Sequence, residues 1–146
     1  MLNEMEQKLV AALRSGKYTQ TDGQLRKSDT NQYCCLGVAC DISGLGQWDD
    51  KDADVFVTTE DDDRYTSEAV LPPKVLKALG WSSDSGILTV KGRDSLPPTL
   101  TELNDEYGVT FAQIADLIAA GLVETRAEYM ERTRVTTIHA DEPEAK

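Results

Sequence analysis

The sequence predicts an α+β fold: a single small domain of about five helices with short antiparallel strands and an early Asp-Gly β-hairpin. Three observations lead there. Apolar residues recur at helical spacing in segments bounded by capping residues and glycines. Asp22-Gly23 lies between two short runs, the local signature of a two-residue hairpin whose turn wants positive φ at both central residues. Helical and extended segments also lack the regular βαβ alternation of a parallel sheet. With 146 residues and 40% hydrophobic content, the chain can bury one core without metals or disulfides.

The first helix begins at Asn3, which can cap it reciprocally with Glu6. Met5, Leu9, Ala12 and Leu13 form its apolar face, and Gly16 stops it. The runs Tyr18–Thr21 and Gln24–Lys27 flank Asp22-Gly23. A second helix is expected over about 33–43, ending at Gly44, with Gly37 tolerable only if something packs closely there. Val55–Thr59 reads as a β-branched strand between two acidic loops. Leu71-Pro72-Pro73 opens a helix carrying Val75, Leu76 and Leu79. Ile87–Val90 reads as a strand. Leu96-Pro97-Pro98 opens a helix carrying Leu100, Leu103 and Tyr107, with Thr99 and Glu102 as a capping box and Gly108 as its stop. Thr110 and Gln113 cap the next helix, whose face is Phe111, Ile114, Ala115, Ile118 and Leu122, ending at Gly121. Arg132–Ile138 reads as an edge strand. Residues 1–138 form the globular domain, and 139–146 read as a disordered acidic tail.

Charge narrows the partners. Against 26 Asp and Glu stand 15 Lys and Arg, a net charge of −11. Such a surface repels phosphate backbones and anionic lipid, which argues against duplex nucleic acid and membrane as partners. No apolar run approaches the roughly 18 residues of a membrane span. Met1–Glu6 has no basic segment leading into an apolar stretch, so no secretion signal is expected. The imbalance is local. Residues 1–48 carry five acids and five bases, whereas 49–63 carry eight acids against Lys51. An EF-hand reading from Asp50 fails, because its sixth and twelfth positions hold Val55 and Asp61.

Cys34, Cys35 and Cys40 crowd into one apolar segment, a poor disulfide framework. They read as reduced core thiols. Zinc ligands usually come as two separated pairs, and the single histidine, His139, lies far along the chain, so no metal is assigned. The same lone histidine disfavours a Cys/His pair and a Ser/His/Asp triad. No glycine-rich phosphate loop of either standard pattern is present, and no cofactor is implied. Carboxylates can still act as acid and base, with Asp41 and Asp105 the least surface-like candidates. Trp48 and Trp81 read as lids on the core.

A binding site is easier to argue. Arg14, Lys17, Arg26 and Lys27 gather around the expected hairpin, with Tyr18 and Tyr33 beside them in sequence. Cations and aromatic faces together suit a small anionic, ring-bearing ligand such as a nucleotide, arginine taking phosphate and tyrosine stacking.

Ala12–Tyr18, the expected hairpin and Tyr33-Cys34-Cys35-Leu36-Gly37-Val38-Ala39-Cys40-Asp41 together resemble a group of small proteins of tailed bacteriophages and prophages. These carry a "YCCLGVLCD"-like segment, from which Ala39 is a mild departure. Their C-terminal part resembles Leu103-Asn104-Asp105-Glu106-Tyr107-Gly108 and the helix after it. The likeness spans roughly residues 9–41 and 96–119. It implies an origin and not a mechanism. By analogy with other small non-structural phage proteins, it implies action in the host cytoplasm by binding, as a counter-defence factor capturing a nucleotide-like signal. Two other expectations stand beside it: an acidic inhibitor of a host protein, with 49–63 meeting a basic surface and mimicking nucleic acid, and a small carboxylate enzyme.

Overall fold

The computed structural model describes residues 2–89 and 98–141. The fold is α+β, with six helices and two small three-stranded sheets among the described residues. The helices are α1 (Glu4–Arg14), α2 (Cys35–Ser43), α3 (Pro73–Leu79), α4 (Leu100–Asp105), α5 (Phe111–Ala119) and α6 (Arg126–Asp141). One sheet holds β1 (Thr19–Gln20), β2 (Arg26–Lys27) and β3 (Gln32–Tyr33) in the order β1-β3-β2. The other is the antiparallel meander β4 (Gln47–Trp48), β5 (Phe56–Glu60) and β6 (Asp63–Ser67). None of the described helices is long and apolar enough to cross a membrane.

Helix α2 is the centre. Residues Cys35–Cys40 are buried on every side, as a helix without a polar face must be. It packs against α1, α3, α4 and β3, while α1 also lies along α5. The Cys34 thiol caps α2, accepting from the Gly37 N–H at 3.4 Å, and Gly44 ends it in the left-handed conformation at φ 70°. Gly37 is required by contact: a Cβ there would stand 1.8 Å from the Leu25 carbonyl oxygen. The Leu25 side chain is fully buried beside it.

The N-terminal cap also does more than start a helix. The Asn3 side chain accepts from the Glu6 N–H at 2.8 Å and donates to the Leu79 carbonyl at the end of α3. The buried Glu6 carboxylate accepts from the Asn3 N–H and, at 3.0 Å, from the Trp81 indole. Trp81 is accordingly a core residue, 2% exposed.

Several expectations are corrected. Asp22-Gly23 does not close a hairpin. Gly23 has φ 81°, but Asp22 is not left-handed, and β1 pairs with β3 in parallel, not with β2. Tertiary bonds decide this: the Gln20 side chain donates to Asn104 and the Val109 carbonyl, and Asn104 donates to the Thr21 carbonyl. The antiparallel partner of β2 is β3, reached through a turn over 28–31 in which Asn31 has φ 54°. A two-residue turn with positive φ at both positions does occur, at Asp61-Asp62 (φ 50° and 70°), joining β5 to β6. The acidic run there is thus a hairpin tip.

The expected edge strand at 132–138 is helix α6. Thr125 and Glu128 form a reciprocal cap, with bonds of 3.1 and 2.9 Å, and this start signal overrides the β-branched run Val135–Ile138. Residues 139–141 belong to the same helix; 142–146, the rest of the expected tail, lie outside the described residues. The expected strand at 87–90 reduces to isolated bridges, Ile87 with Thr99 and Leu88 with Val123, with Val90 outside the described residues. Tyr107 and Leu122 fall beyond their helices and are 65% and 39% exposed. Leu96 and Pro97 lie outside the described residues, and α4 starts from Thr99, which accepts from the Glu102 N–H.

Gly37→Ala should destabilise the fold by about 3 kcal/mol, because backbone and not a flexible side chain blocks the added methyl. That corresponds to a fall in Tm of roughly 6–12 °C in a thermal melt. An unchanged Tm would mean that α2 does not rest on the Leu25 backbone.

Candidate functional site

Pleat geometry sorts the six sequence-predicted ligand residues. Arg26 and Tyr33 are direct cross-strand partners, so their side chains share one face of the first sheet. Lys27 is paired with Gln32 and belongs to the opposite face, where its ammonium lies 3.9 Å from Asp22. Arg14, at the end of α1, donates to Asp116 of α5 at 2.8 Å. Lys17 is exposed and forms no ion pair among the described residues. The structure therefore gathers Tyr18, Arg26 and Tyr33, and places Arg14 and Lys27 in separate ion pairs.

Sequence reasoning missed two members of this cluster as members. The sequence pattern points to Trp48 only as a lid and to Asp41 only as an acid/base candidate. The Tyr33 ring is the hub. Tyr18 meets it edge-on at 5.0 Å and Trp48 at 5.9 Å, and Trp48 in turn meets Phe56 at 5.0 Å. The Arg26 guanidinium lies 5.4 Å from the Tyr33 centroid and 5.2 Å from that of Trp48. Asp41, leaving the last turn of α2, accepts from the Tyr18 hydroxyl at 2.5 Å and from the Trp48 indole at 2.9 Å. One exposed carboxylate thus sets the angle of both outer rings. Tyr18 lies 23 positions before Asp41, and the Gly44 stop ends the helix between Asp41 and Trp48, so no helical or strand period reveals this.

Arg26 also ties the two sheets together. One of its terminal nitrogens donates to the Ala53 carbonyl at 3.2 Å. Its Nε is buried and finds no acceptor among the described residues, a cost of about 1–3 kcal/mol when left unpaid. Close by, Asp54 accepts from the Ser28 N–H at 2.7 Å and from the Gln24 amide at 3.2 Å, fastening the 28–31 turn to the 49–54 loop. The Ser28 bonds, and secondarily Gln24 and Arg26, hold its carboxyl below the ordinary aspartate range. Burial, reinforced by Asp41, raises both phenols, with Arg26 opposing the rise at Tyr33. Tyr18 and Tyr33 therefore stay neutral donors.

The other candidates find structural partners. Asp105 accepts from the neighbouring Asn104 amide at 2.9 Å. The three cysteines are free and buried. Burial pushes the Cys34 thiol up to about 11 and raises Cys35 and Cys40 as well, so all three stay protonated at neutral pH. Among the described residues no three Cys, His, Asp or Glu side chains are grouped to hold a metal ion. Two open clefts, of about 320 Å³ beside Asn3, Lys8 and Ala78 and about 330 Å³ beside Gly46, Thr59 and Lys74, are lined by none of the six predicted residues.

The fold and this cluster define a small α+β domain with a cation–aromatic surface patch. Residues 1–122 match the model of a domain of unknown function (DUF8296), and the chain belongs to that family. The match takes in both sheets and α1 through α5, and stops before α6. No curated protein and no solved structure matches the chain significantly.

Two measurements follow. The thiols should resist a disulfide reagent at pH 8 in the native protein and react fully once it is unfolded; rapid native labelling would contradict their burial. The Asp54 carboxyl is depressed in the fold, so its charge stabilises the native state above the unfolded aspartate pKa of about 4. That contribution fades as pH falls through the lower native value. The stability gap between wild type and Asp54→Asn should be constant above about pH 5 and close on acidification. A gap that persists unchanged at pH 2.5 would show that the negative charge is not what holds the turn.

Proposed function

We propose that this chain is a phage-encoded accessory protein that works by binding in the host cytosol and not by turnover. Its ligand is a small anionic, ring-bearing molecule of nucleotide type, and its capture would serve counter-defence. The observation that supports this reading is the Arg26 guanidinium held over two aromatic rings at 5.4 and 5.2 Å on an otherwise acidic protein. A guanidinium already oriented by stacking loses little freedom when it meets a phosphate. The half-buried Tyr18 and Trp48 offer ring surface beside it, and Asp41 keeps unused acceptor capacity for a base N–H. Lys17, next to Tyr18 in sequence, is exposed and without an ion pair among the described residues. The resemblance to phage proteins supports the setting; the family match carries no ligand of its own.

The test is a thermal-shift panel of linear and cyclic nucleotides. A ligand at about 100 times its Kd adds roughly 2.7 kcal/mol, which for a chain of this size raises Tm by roughly 5–10 °C. The shift should vanish in Arg26→Ala and shrink in Arg26→Lys, each read against the variant's own baseline. It should survive in Arg14→Ala, since Arg14 is committed to Asp116. No shift across the panel, or a shift indifferent to Arg26, overturns the proposal.

A further inference from the structure

Among the described residues, strand β6 has a partner on one side only. All five of its residues, Asp63–Ser67, are in register with β5, from Glu60↔Asp63 to Phe56↔Ser67, and it ends the sheet order. Along its other edge alternate backbone N–H and C=O groups point outward, and no described residue bonds to them. Residues 63–66 are exposed, including Tyr65 at 37%. Proteins usually blunt such an edge with proline, a bulge, a lysine or extreme shortness. Here the register is continuous, proline and lysine are absent, and the cationic Arg64 is taken by Asp49 at 2.8 Å.

The surroundings are anionic. Asp61 and Asp62 form the exposed hairpin tip, Asp63 opens the strand and Glu68 follows it. These charges act against a second copy. Antiparallel self-pairing centred on Tyr65 would set Asp62 opposite Glu68 twice, and like charges directly opposite destabilise a sheet. They favour a cationic strand instead.

We infer that β6 is a docking edge for an extended, basic segment of a partner protein, which joins the meander as a fourth strand. The main-chain bonds supply affinity, and the alternation of the added strand supplies selectivity. Residues beside Asp63 and Tyr65 lie on the face shared with Phe56 and Thr58; those beside Arg64 and Thr66 lie on the other. A segment alternating Lys or Arg with β-branched residues matches this edge. The inference does not depend on the ligand proposed for the Arg26 cluster.

The test uses the full chain and three synthetic heptapeptides: Lys-Val-Lys-Val-Lys-Val-Lys, the same peptide N-methylated at alternate residues, and its Glu-Val counterpart. Fluorescence anisotropy reads affinity, and amide hydrogen exchange reads location. The unmodified basic peptide should bind and slow exchange along β6. N-methylation should weaken it about tenfold or more, and the acidic peptide should not bind. Neutralising the tip with Asp61→Asn, Asp62→Asn and Asp63→Asn, which keeps residues tolerant of positive φ, should weaken binding about fivefold and reduce its salt dependence. Equal affinity for the methylated peptide would mean plain charge attraction and overturns the proposal. So does protection outside β6, absence of binding, or a dimer that masks the β6 amides, which would make a second copy the occupant.

Discussion

The close approach of α2 to the Leu25 backbone governs the rest of the architecture. Leu25 lies between elements: its N–H donates to the Glu68 carbonyl just past β6, and its carbonyl accepts from the Cys34 N–H at the start of α2. Gly37 lets the helix settle onto this peptide with no side chain between them. Both sheets are thereby referenced to one buried residue. Arg26, next in sequence, is delivered to the seam between them, where it reaches Tyr33 of one sheet and Trp48 and the Ala53 carbonyl of the other side.

The acidic segment divides in two under the same constraint. In the 49–54 loop the carboxylates serve the backbone and the cations: Asp49 takes Arg64 and the Asp52 N–H, Asp52 takes the Asp54 N–H, and Asp54 takes Ser28 and Gln24. These acids replace water around main-chain donors that a compact loop would otherwise strand. The second group, Asp61–Asp63, turns outward at the tip of the meander. A run that looks uniform in charge thus holds a structural half and a free half, and only the free half shapes the field beside the β6 edge.

The cluster around Tyr33 shows a similar division of labour. Asp41 orients Tyr18 and Trp48, Tyr33 and Trp48 orient Arg26, and Arg26 spans the sheets. Each group is held by a neighbour from a different element, so the patch is rigid without a dedicated loop. Rigidity of this kind serves recognition, since little side-chain entropy remains to be lost on binding. It serves stability equally, and the ligand response of Arg26 variants separates the two.

The sequence by itself determined what depends on neighbours a few residues away. The Asn3–Glu6 and Thr110–Gln113 caps, the proline start of α3, the left-handed stop at Gly44, the buried thiols of α2 and the core positions Leu9, Leu13, Phe111, Ile114, Ala115 and Ile118 were legible, because caps and helical periodicity act within one or two turns. Tyr18, Arg26 and Tyr33 could be grouped because cation and aromatic content cluster locally. Tertiary structure alone decided the pairings. Asn104, 83 positions from Thr21, drew β1 away from the hairpin that Asp22-Gly23 advertises. Asp41 and Trp48 entered the Tyr33 cluster, and Arg14 and Lys27 left it, through contacts with no sequence period. A turn signal is worth little until strands are available to pair, and long-range hydrogen bonds and burial outweigh a local preference of about 1 kcal/mol.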